Sequence, residues 1–432
     1  MFEWSDEQQM VQAAVRDFVD KEVVPHHREL EHGDMPPYDI LRKLFRAFGL
    51  DAMARDRFTR SLAADAASGA DADTGWGSEA HAGEKERDLK AAANAVAFTM
   101  IPIVELSRWC PGMVTAMGVS MGLTPAAIMS RGTRAQKERW ALPLLTLDKV
   151  GAWAITEPGS GSDAFGSMLA TARRDGDEYV LNGSKTFITN GPYADTIVFI
   201  CKLDDGNPPE ERQVVQFVLD RGLPGLEQSA PLAKMGLHSS PTGEVFLTDV
   251  RVGRDRLLGE AEPGEAAAAG EGRAAAKATF SMERTGVAAM ALGIISQCLE
   301  LSVDYARNRV QFGRPIGEFQ LIQDKLARME VARLNVENLV FRFVEMSAAG
   351  RSLSLAEASA MKLYSARAAV EVAMEAVQLF GGNGYMSEFQ VEQLARDAKV
   401  LQIYGGTDEI QITHIAKDLL RSGSSGGRGE SS

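Results

Sequence analysis

The sequence predicts an α+β chain built as helices, then a strand-rich unit, then helices again. Apolar residues recur at helical spacing near the start and again over residues 92–150. Between 151 and 255 the pattern changes to short strand-like runs broken by Gly, Asp and Asn. From about 280 to 421 the helical period returns. These switches divide the chain into a helical unit over 1–150, a β unit over 151–259, a connector over 260–277 and a helical unit over 278–421, with a disordered tail at 422–432.

Ser5-Asp6-Glu7-Gln8 is a helix-start pattern, and Met10, Val11, Ala14, Val15 and Phe18 continue it. Leu41, Leu44, Phe45 and Leu50 suggest a second helix closed near Gly49. Residues 55–92 are rich in Ala, Asp, Gly and Ser and poor in large apolar side chains, which predicts a flexible insertion, with a helix plus a loop as the alternative. Helix returns through Met100, Ile103, Val104, Met113, Met117, Met121 and Leu123, and Gln136–Trp140 begins a short helix leading into the first strand. Thr196–Cys201, Val214–Leu219 and Glu244–Val250 read as further strands.

Composition bounds the function. The formal net charge of −13 argues against binding nucleic acid or an anionic membrane. Cys110, Cys201 and Cys298 stand far apart, without a CxxC pair, which argues against a disulfide framework or zinc site and fits a reducing, cytoplasmic setting. No 18-residue apolar run stands out, so no membrane-spanning helix is expected. The acidic start MFEWSDEQQM does not read as a signal peptide.

The stretch 151–195 organises the rest. Trp153–Thr156 is strand-like, and Glu157-Pro158-Gly159-Ser160-Gly161-Ser162-Asp163 breaks it. Pro158 fixes its own φ and two glycines tolerate positive φ, so a sharp turn with free amides is expected. Lys185–Thr189 is a second strand. Side by side, the two would place Thr156 and Thr189 near Trp153 and Phe187, a setting for a flat heteroaromatic ligand; an ordinary antiparallel segment fits the pattern as well.

Three other patterns fail on context. Gly159-x-Gly161-x-x-Ala164 lacks the helix that a dinucleotide fingerprint opens. Gly118-Val119-Ser120-Met121-Gly122 imitates a nucleophile elbow inside a helical apolar run. His26, His27, His32, His81, His238 and His414 show no ligand spacing, so no metal is expected.

Glu283, Val287, Met290 and Ile294 share one helix face, and only Glu283 is polar. It is either a first-turn acid that complements the helix dipole, capped by Ser281, or an inward carboxylate whose raised pKa suits a general base. Arg284 points elsewhere on the helix.

At this point the chain resembles the acyl-CoA dehydrogenase family. AITEPGSGSD (154–163), NGSKTFITNG (182–191), the run 283–327 and QLFGGNGYMSEFQVEQLARDAKVLQIYGGTDEIQ (378–411) are similar to that family's linked motifs in their order. The resemblance implies an N-terminal α domain, a middle β-barrel domain and a C-terminal four-helix domain, assembled as a homotetramer around bound FAD. It implies that Trp153, Ile155, Thr156 and Ser162 line the flavin and its diphosphate, with Phe187 and Thr189 against the isoalloxazine. It places Arg309, Gln311, Phe312 and Gln320 on the FAD of a neighbouring subunit, Gln378 and Gly382 at the adenine end, and Thr407 and Glu409 closing over the cofactor. Ser162, Phe280, Glu283, Arg284 and Gly405 would border the acyl-CoA.

One departure stands out. Many members carry a catalytic glutamate immediately before the Gly-Thr of the C-terminal motif; here the run is Ile403-Tyr404-Gly405-Gly406-Thr407. In the branch that resembles isovaleryl-CoA and long-chain acyl-CoA dehydrogenases the base sits on the long helix, and the matching position is Glu283. The resemblance then implies α,β-dehydrogenation of an acyl-CoA, Glu283 taking the α proton and flavin N5 the β hydride, with the Gly405 amide as a candidate donor to the thioester carbonyl. Electrons would pass to an electron-transferring flavoprotein. The missing usual base leaves room for altered chemistry (an oxidase, an enoyl-CoA reductase, a desulfinase) or for an inactive acyl-CoA-binding subunit.

Overall fold

Helix α1 (Asp6–Phe18) starts where Ser5 and Gln8 cap each other: the Gln8 N–H donates to Ser5 Oγ at 3.3 Å and the Ser5 N–H to Gln8 Oε1 at 3.0 Å. The molecule is described here as a computed structural model over residues 3–68, 82–260 and 271–422. The N-terminal unit continues through α2 (His27–His32), α3 (Tyr38–Ala47), α4 (Leu50–Ser68), α5 (Ala82–Ser107), α6 (Pro111–Met117), α7 (Thr124–Arg131), α8 (Arg134–Gln136) and α9 (Leu142–Leu145).

The expected flexible insertion at 55–92 is corrected at both ends. Helix α4 runs to Ser68 and α5 begins at Ala82; residues 69–81 lie outside the described set. Alanine is the strongest helix former, and Phe58 and Leu62, at i and i+4, bury to 5 % and 7 % exposure against the cluster around Trp140 and Ile128. Low apolar content hid a helix that needs only one anchoring pair.

The middle unit is a seven-stranded sheet of β1 (Gly151–Ala154), β2 (Thr171–Asp175), β3 (Glu178–Thr189), β4 (Thr196–Asp204), β5 (Val214–Asp220), β6 (Leu226–Gln228) and β7 (Thr242–Gly253). β1 and β2 both run parallel to β4, one beyond the other, and β5 covers its opposite side antiparallel. β3 pairs antiparallel with β2 and β7, and β6 closes on β7. Phe199, Phe217, Leu181, Ile197 and Val245 fill its core.

Residues 261–270 of the expected connector lie outside the described set, and helix α10 (Glu271–Asn308) already begins at Glu271, earlier than the expected 278. A small hairpin of β8 (Val310–Gln311) and β9 (Arg314–Pro315) follows, then α11 (Gln320–Ala348), α12 (Leu355–Phe380), α13 (Gln390–Val400) and α14 (Asp408–Ser422). Helix α10 packs against α5, α11 and α12. Val15, Ile101 and Leu106 therefore share one core with Ile294, Val340 and Val372, although the sheet separates them in sequence.

Pro111–Arg131 and Glu283–Asn308 are long and apolar enough to cross a membrane by length and hydropathy, which corrects the reading that no such run exists. Burial of 56 % and 67 % of those windows accounts for their composition: they are core helices.

Candidate active site

The turn at 157–163 is built differently from the sequence expectation. Neither Gly159 nor Gly161 adopts positive φ. Instead Glu157 and Ser160 exchange two backbone hydrogen bonds, at 3.1 and 3.0 Å. The Glu157 carboxylate turns inward and accepts from the Leu169 and Ala170 amides at 2.7 and 3.0 Å. Lys185, with no solvent exposure, donates to Glu157 Oε1 at 2.8 Å and to the Ile155 carbonyl at 2.9 Å. A buried ion pair with this many hydrogen bonds locks the turn to β3. Sequence reasoning missed it, because a lysine and a glutamate in a strand and a turn carry no spacing signal.

The same stretch of β3 explains Phe187. The ladder with β7 slips between Lys185 and Ile188, and within that bulge Phe187 takes φ +57°. A bulge re-aims side chains. Lys185 points in, while Phe187 points out and is 69 % exposed. Such strain in a β-branch-free aromatic marks a functional candidate. The Thr186 N–H donates to the Thr156 carbonyl at 2.9 Å, so the two stretches do lie side by side. Thr156 and Thr189 are half-buried and Ser162 is exposed, and among the described residues none of the three hydroxyls has a hydrogen-bond partner. Trp153 and Ile155 are placed behind this wall, at 9 % and 7 % exposure, packed with Trp140, Val198 and Ile200.

The elbow-like run at 118–122 has a structural role, as does Asn190. Ser120 is fully buried and its Oγ accepts the Gly151 N–H at 2.9 Å, tying the helical unit to β1. Asn190, also buried, donates to the Ala116 and Gly151 carbonyls at 2.9 Å each and accepts from Tyr38 Oη at 2.9 Å. Among the described residues no group of His, Cys, Asp and Glu could hold a metal. All three cysteines are free and buried.

Glu283 sits well inside α10, which begins at Glu271, so the first-turn dipole reading does not hold. Val287, Met290 and Ile294 on its face are buried, at 2 %, 4 % and 0 % exposure. Desolvation pushes the Glu283 carboxyl up to about 7, against the opposing pull of Lys362 and then Arg284. Arg284 is only 3 % exposed and reaches Ser359 Oγ at 3.2 Å and His414 Nδ1 at 3.4 Å. It is held between α10, α12 and α14. Phe280 lies on α10, but its side chain is outside the described residues.

The turn at 404–407 comes up beside Glu283. Gly405 and Gly406 have φ +61° and +89°, a conformation that glycine adopts without Cβ strain. A Cβ at Gly405 would lie 3.3 Å from Glu283 Cδ and 3.4 and 3.5 Å from its two oxygens. Lys362 Nζ donates to the Gly406 carbonyl at 2.8 Å. Gln411 Nε2 bridges the Gly405 and Gly406 carbonyls at 3.0 and 2.8 Å. The Tyr404 hydroxyl is directed to Met290 Sδ at 3.3 Å, and burial raises its pKa, so it stays neutral. Thr407 Oγ1 caps the next helix by accepting from the Ile410 N–H at 3.4 Å, and Glu409 is exposed.

The remaining candidates lie on C-terminal surface. Arg309, Gln311, Phe312 and Gln320 are exposed, Phe312 to 94 %, around the β8–β9 hairpin that rests on α10. Gln378 and Gly382 are exposed at the end of α12. Tyr305 joins the two groups: it stacks on Phe380 at 4.0 Å, and its carbonyl accepts the Arg309 N–H at 2.8 Å.

A helical unit and a helical bundle sharing one core, with a sheet between them in sequence and the Glu283 carboxylate on an apolar face of the bundle's long helix, define the acyl-CoA dehydrogenase fold. Models of that enzyme's N-terminal, middle and C-terminal domains match residues 5–68, 152–250 and 270–420. The chain belongs to the acyl-CoA dehydrogenase family, whose members depend on flavin. It is 36 % identical over 419 residues to an acyl-CoA dehydrogenase of Bacillus subtilis (strain 168), covering 96 % of this chain and 98 % of that one. It is 32 % identical over 418 residues to a 3-(aryl)acrylate reductase of Clostridium sporogenes (strain ATCC 15579), covering 97 % and 100 %. The solved butyryl-CoA dehydrogenase of Megasphaera elsdenii superposes with a TM-score of 0.79 at 32 % identity, covering 97 % and 100 %.

Proposed function

We propose that this chain catalyses the FAD-dependent α,β-dehydrogenation of a short, branched or medium acyl-CoA, with Glu283 as the base. One observation carries the reading: the Glu283 carboxylate occupies the space beside residue 405, where the family's usual base position holds a glycine.

The residues present suit FAD. The outward face of Phe187 and the hydroxyls of Thr156, Ser162 and Thr189, unpartnered among the described residues, offer a flat surface edged by hydrogen-bonding groups. Trp153 and Ile155 back that wall. Arg309, Gln311, Phe312, Gln320, Gln378 and Gly382 would serve a neighbouring subunit's cofactor in a homotetramer, with Thr407 and Glu409 over their own. When bound, FAD supplies the acceptor for the β hydride.

The protein's own part is proton chemistry. A thioester α proton leaves only if a base is close and the carbonyl is stabilised as it gains charge. Glu283, pushed up to about 7, has a proton affinity matched to neutral pH. The Gly405 N–H, on a turn held by Lys362 and Gln411, is the candidate carbonyl donor. Ser162 would border the CoA ester. Electrons would leave to an electron-transferring flavoprotein, and the buried, unpaired cysteines support a cytoplasmic setting.

A reductase is the second reading. A carboxyl near 7 presents both protonation states at neutral pH, and a relative spanning the whole chain bears a reductase's name. Purified protein should be yellow, and an accepted acyl-CoA should bleach it anaerobically. Glu283→Gln should keep the colour and lose the bleaching; bleaching at the native rate rejects Glu283 as the base. Oxidation of an enoyl-CoA-treated, pre-reduced sample with no bleaching by any saturated acyl-CoA selects the reductase.

A further inference from the structure

We propose that Lys362 is a positioning residue of this reaction, whose buried ammonium both fixes the Gly405–Gly406 turn and counters the charge of the Glu283 carboxylate. The inference rests on the reading of Glu283 as the base.

Lys362 has no solvent exposure, a rare condition for a lysine. Burying an ammonium costs several kcal/mol unless charge and hydrogen bonds compensate. Its compensation is thin. Among the described residues its one hydrogen bond goes to the Gly406 carbonyl, at 2.8 Å, and no carboxylate stands within ion-pair distance. Burial brings its pKa down to about 8.

The charges that act on Lys362 come from three elements. Asp408 and Glu409 lie at the start of α14, and Glu283 and Arg284 lie on α10. Asp408 is the strongest favourable charge on Lys362; its Oδ2 is bonded to Arg367 at 2.9 Å, and its Oδ1 is buried with no hydrogen-bond partner among the described residues. Glu409 is exposed, and Arg284 repels. Glu283 is the next favourable charge after Asp408, and among the described residues it has no hydrogen bond or ion pair of its own. Lys362 is in turn the largest favourable charge acting on Glu283, ahead of Arg284, while the neighbouring Tyr404 remains neutral. An ammonium bonded to the turn carbonyl, whose charge also reaches the base, couples two things the reaction needs at once. It sets the direction of the Gly405 amide, and it opposes the desolvation that raises the proton affinity of Glu283.

A purely structural peg would hold the turn without touching the base's titration, so the pH profile separates the two. Lys362→Met removes donor and charge; Lys362→Gln removes the charge and keeps a donor. In both, the rise of kcat/KM with pH should move alkaline by about one unit. The kcat plateau of Lys362→Met should fall about tenfold to a hundredfold from misplacement of the turn, and that of Lys362→Gln by less. A second readout needs no turnover. The infrared carboxylic-acid band that disappears in Glu283→Gln, titrated in the holoenzyme, should show the same alkaline displacement. An undisplaced limb and band in either uncharged variant overturn the inference. Should Lys362→Met and Lys362→Gln fail to fold, Lys362→Arg decides: retention of the native limb supports the charge role, and a limb displaced by a unit overturns it. Native turnover in Glu283→Gln overturns the reading of the base itself, whatever Lys362 does.

Discussion

A side chain on residue 405 would begin 3.3 Å from the carboxyl carbon of Glu283. Two segments more than a hundred residues apart thus compete for one volume, and only one can supply a carboxylate. Gly405→Glu alone should be inactive or nearly so: it forces a non-glycine residue to φ +61°, at a cost of about 1 kcal/mol, and sets two acids against each other. Gly405→Glu combined with Glu283→Gly should recover at least tenfold over either single variant in anaerobic flavin reduction. Equal or lower activity in the double variant would show that the volume is not interchangeable.

The price of the base should be visible in stability. The Glu283 carboxyl is pushed from its usual 4.5 up to about 7, so the folded state holds a proton that the unfolded state has released. The stabilisation from that proton is complete below pH 4.5 and lost as pH rises through about 7. Partial exposure discounts the full linkage to on the order of 1–2 kcal/mol. Glu283→Gln should therefore melt with native protein at pH 4.5 but several degrees above it at pH 8, by calorimetry.

Lys185 and Glu157 hold the turn that carries Ser162. Lys185→Met leaves the Glu157 carboxylate buried with two amide donors and no counter-charge, which should cost about 3–5 kcal/mol. The loosened turn should also lose cofactor, read as a lower ratio of flavin to protein absorbance. Lys185→Met/Glu157→Gln should regain part of the stability; no recovery would argue against a pairwise role.

A second buried acid joins all three units. Asp397 on α13 accepts from the Leu237 N–H of the middle unit and from Gln393 Nε2 at 3.0 Å, and it stands near Glu31 on α2. Desolvation first, then the Glu31 charge, raises Asp397 to about 7. Its proton stabilises the fold below about 3.8, and that contribution disappears as pH rises through 7. Asp397→Asn should accordingly flatten the fall in thermal midpoint between pH 5 and 8, whereas an unchanged slope would place the titration elsewhere. Asp397→Ala should cost about 2–3 kcal/mol at pH 7 through two orphaned donors.

Much of this was legible in residues. The Ser5–Gln8 cap, the strands read at 196–201 and 214–219 and observed over 196–204 and 214–220, and the inward position of Glu283 follow from patterns that act within a few residues. The turn at 157–163 was placed correctly but for the wrong reason, because its hold comes from Lys185, across the sheet. At α4 composition favours the flexible reading over the helix-and-loop one that the structure adopts, since it reports how much a segment can bury and not whether two of its side chains suffice.

By itself the sequence determined the order of helical, sheet and helical units, the lone acid on an apolar helix face, and the glycine where another carboxylate could have stood. Those are properties of periodicity and residue type, set by local geometry. Only the tertiary structure decided that α5 and α10 share one core, that Phe187 turns out while Lys185 turns in, and that Glu283 fills the space beside Gly405 with Lys362 behind the turn. Desolvation and charge act through space. The proton affinity of Glu283 could therefore be fixed only once distant segments had excluded water around it.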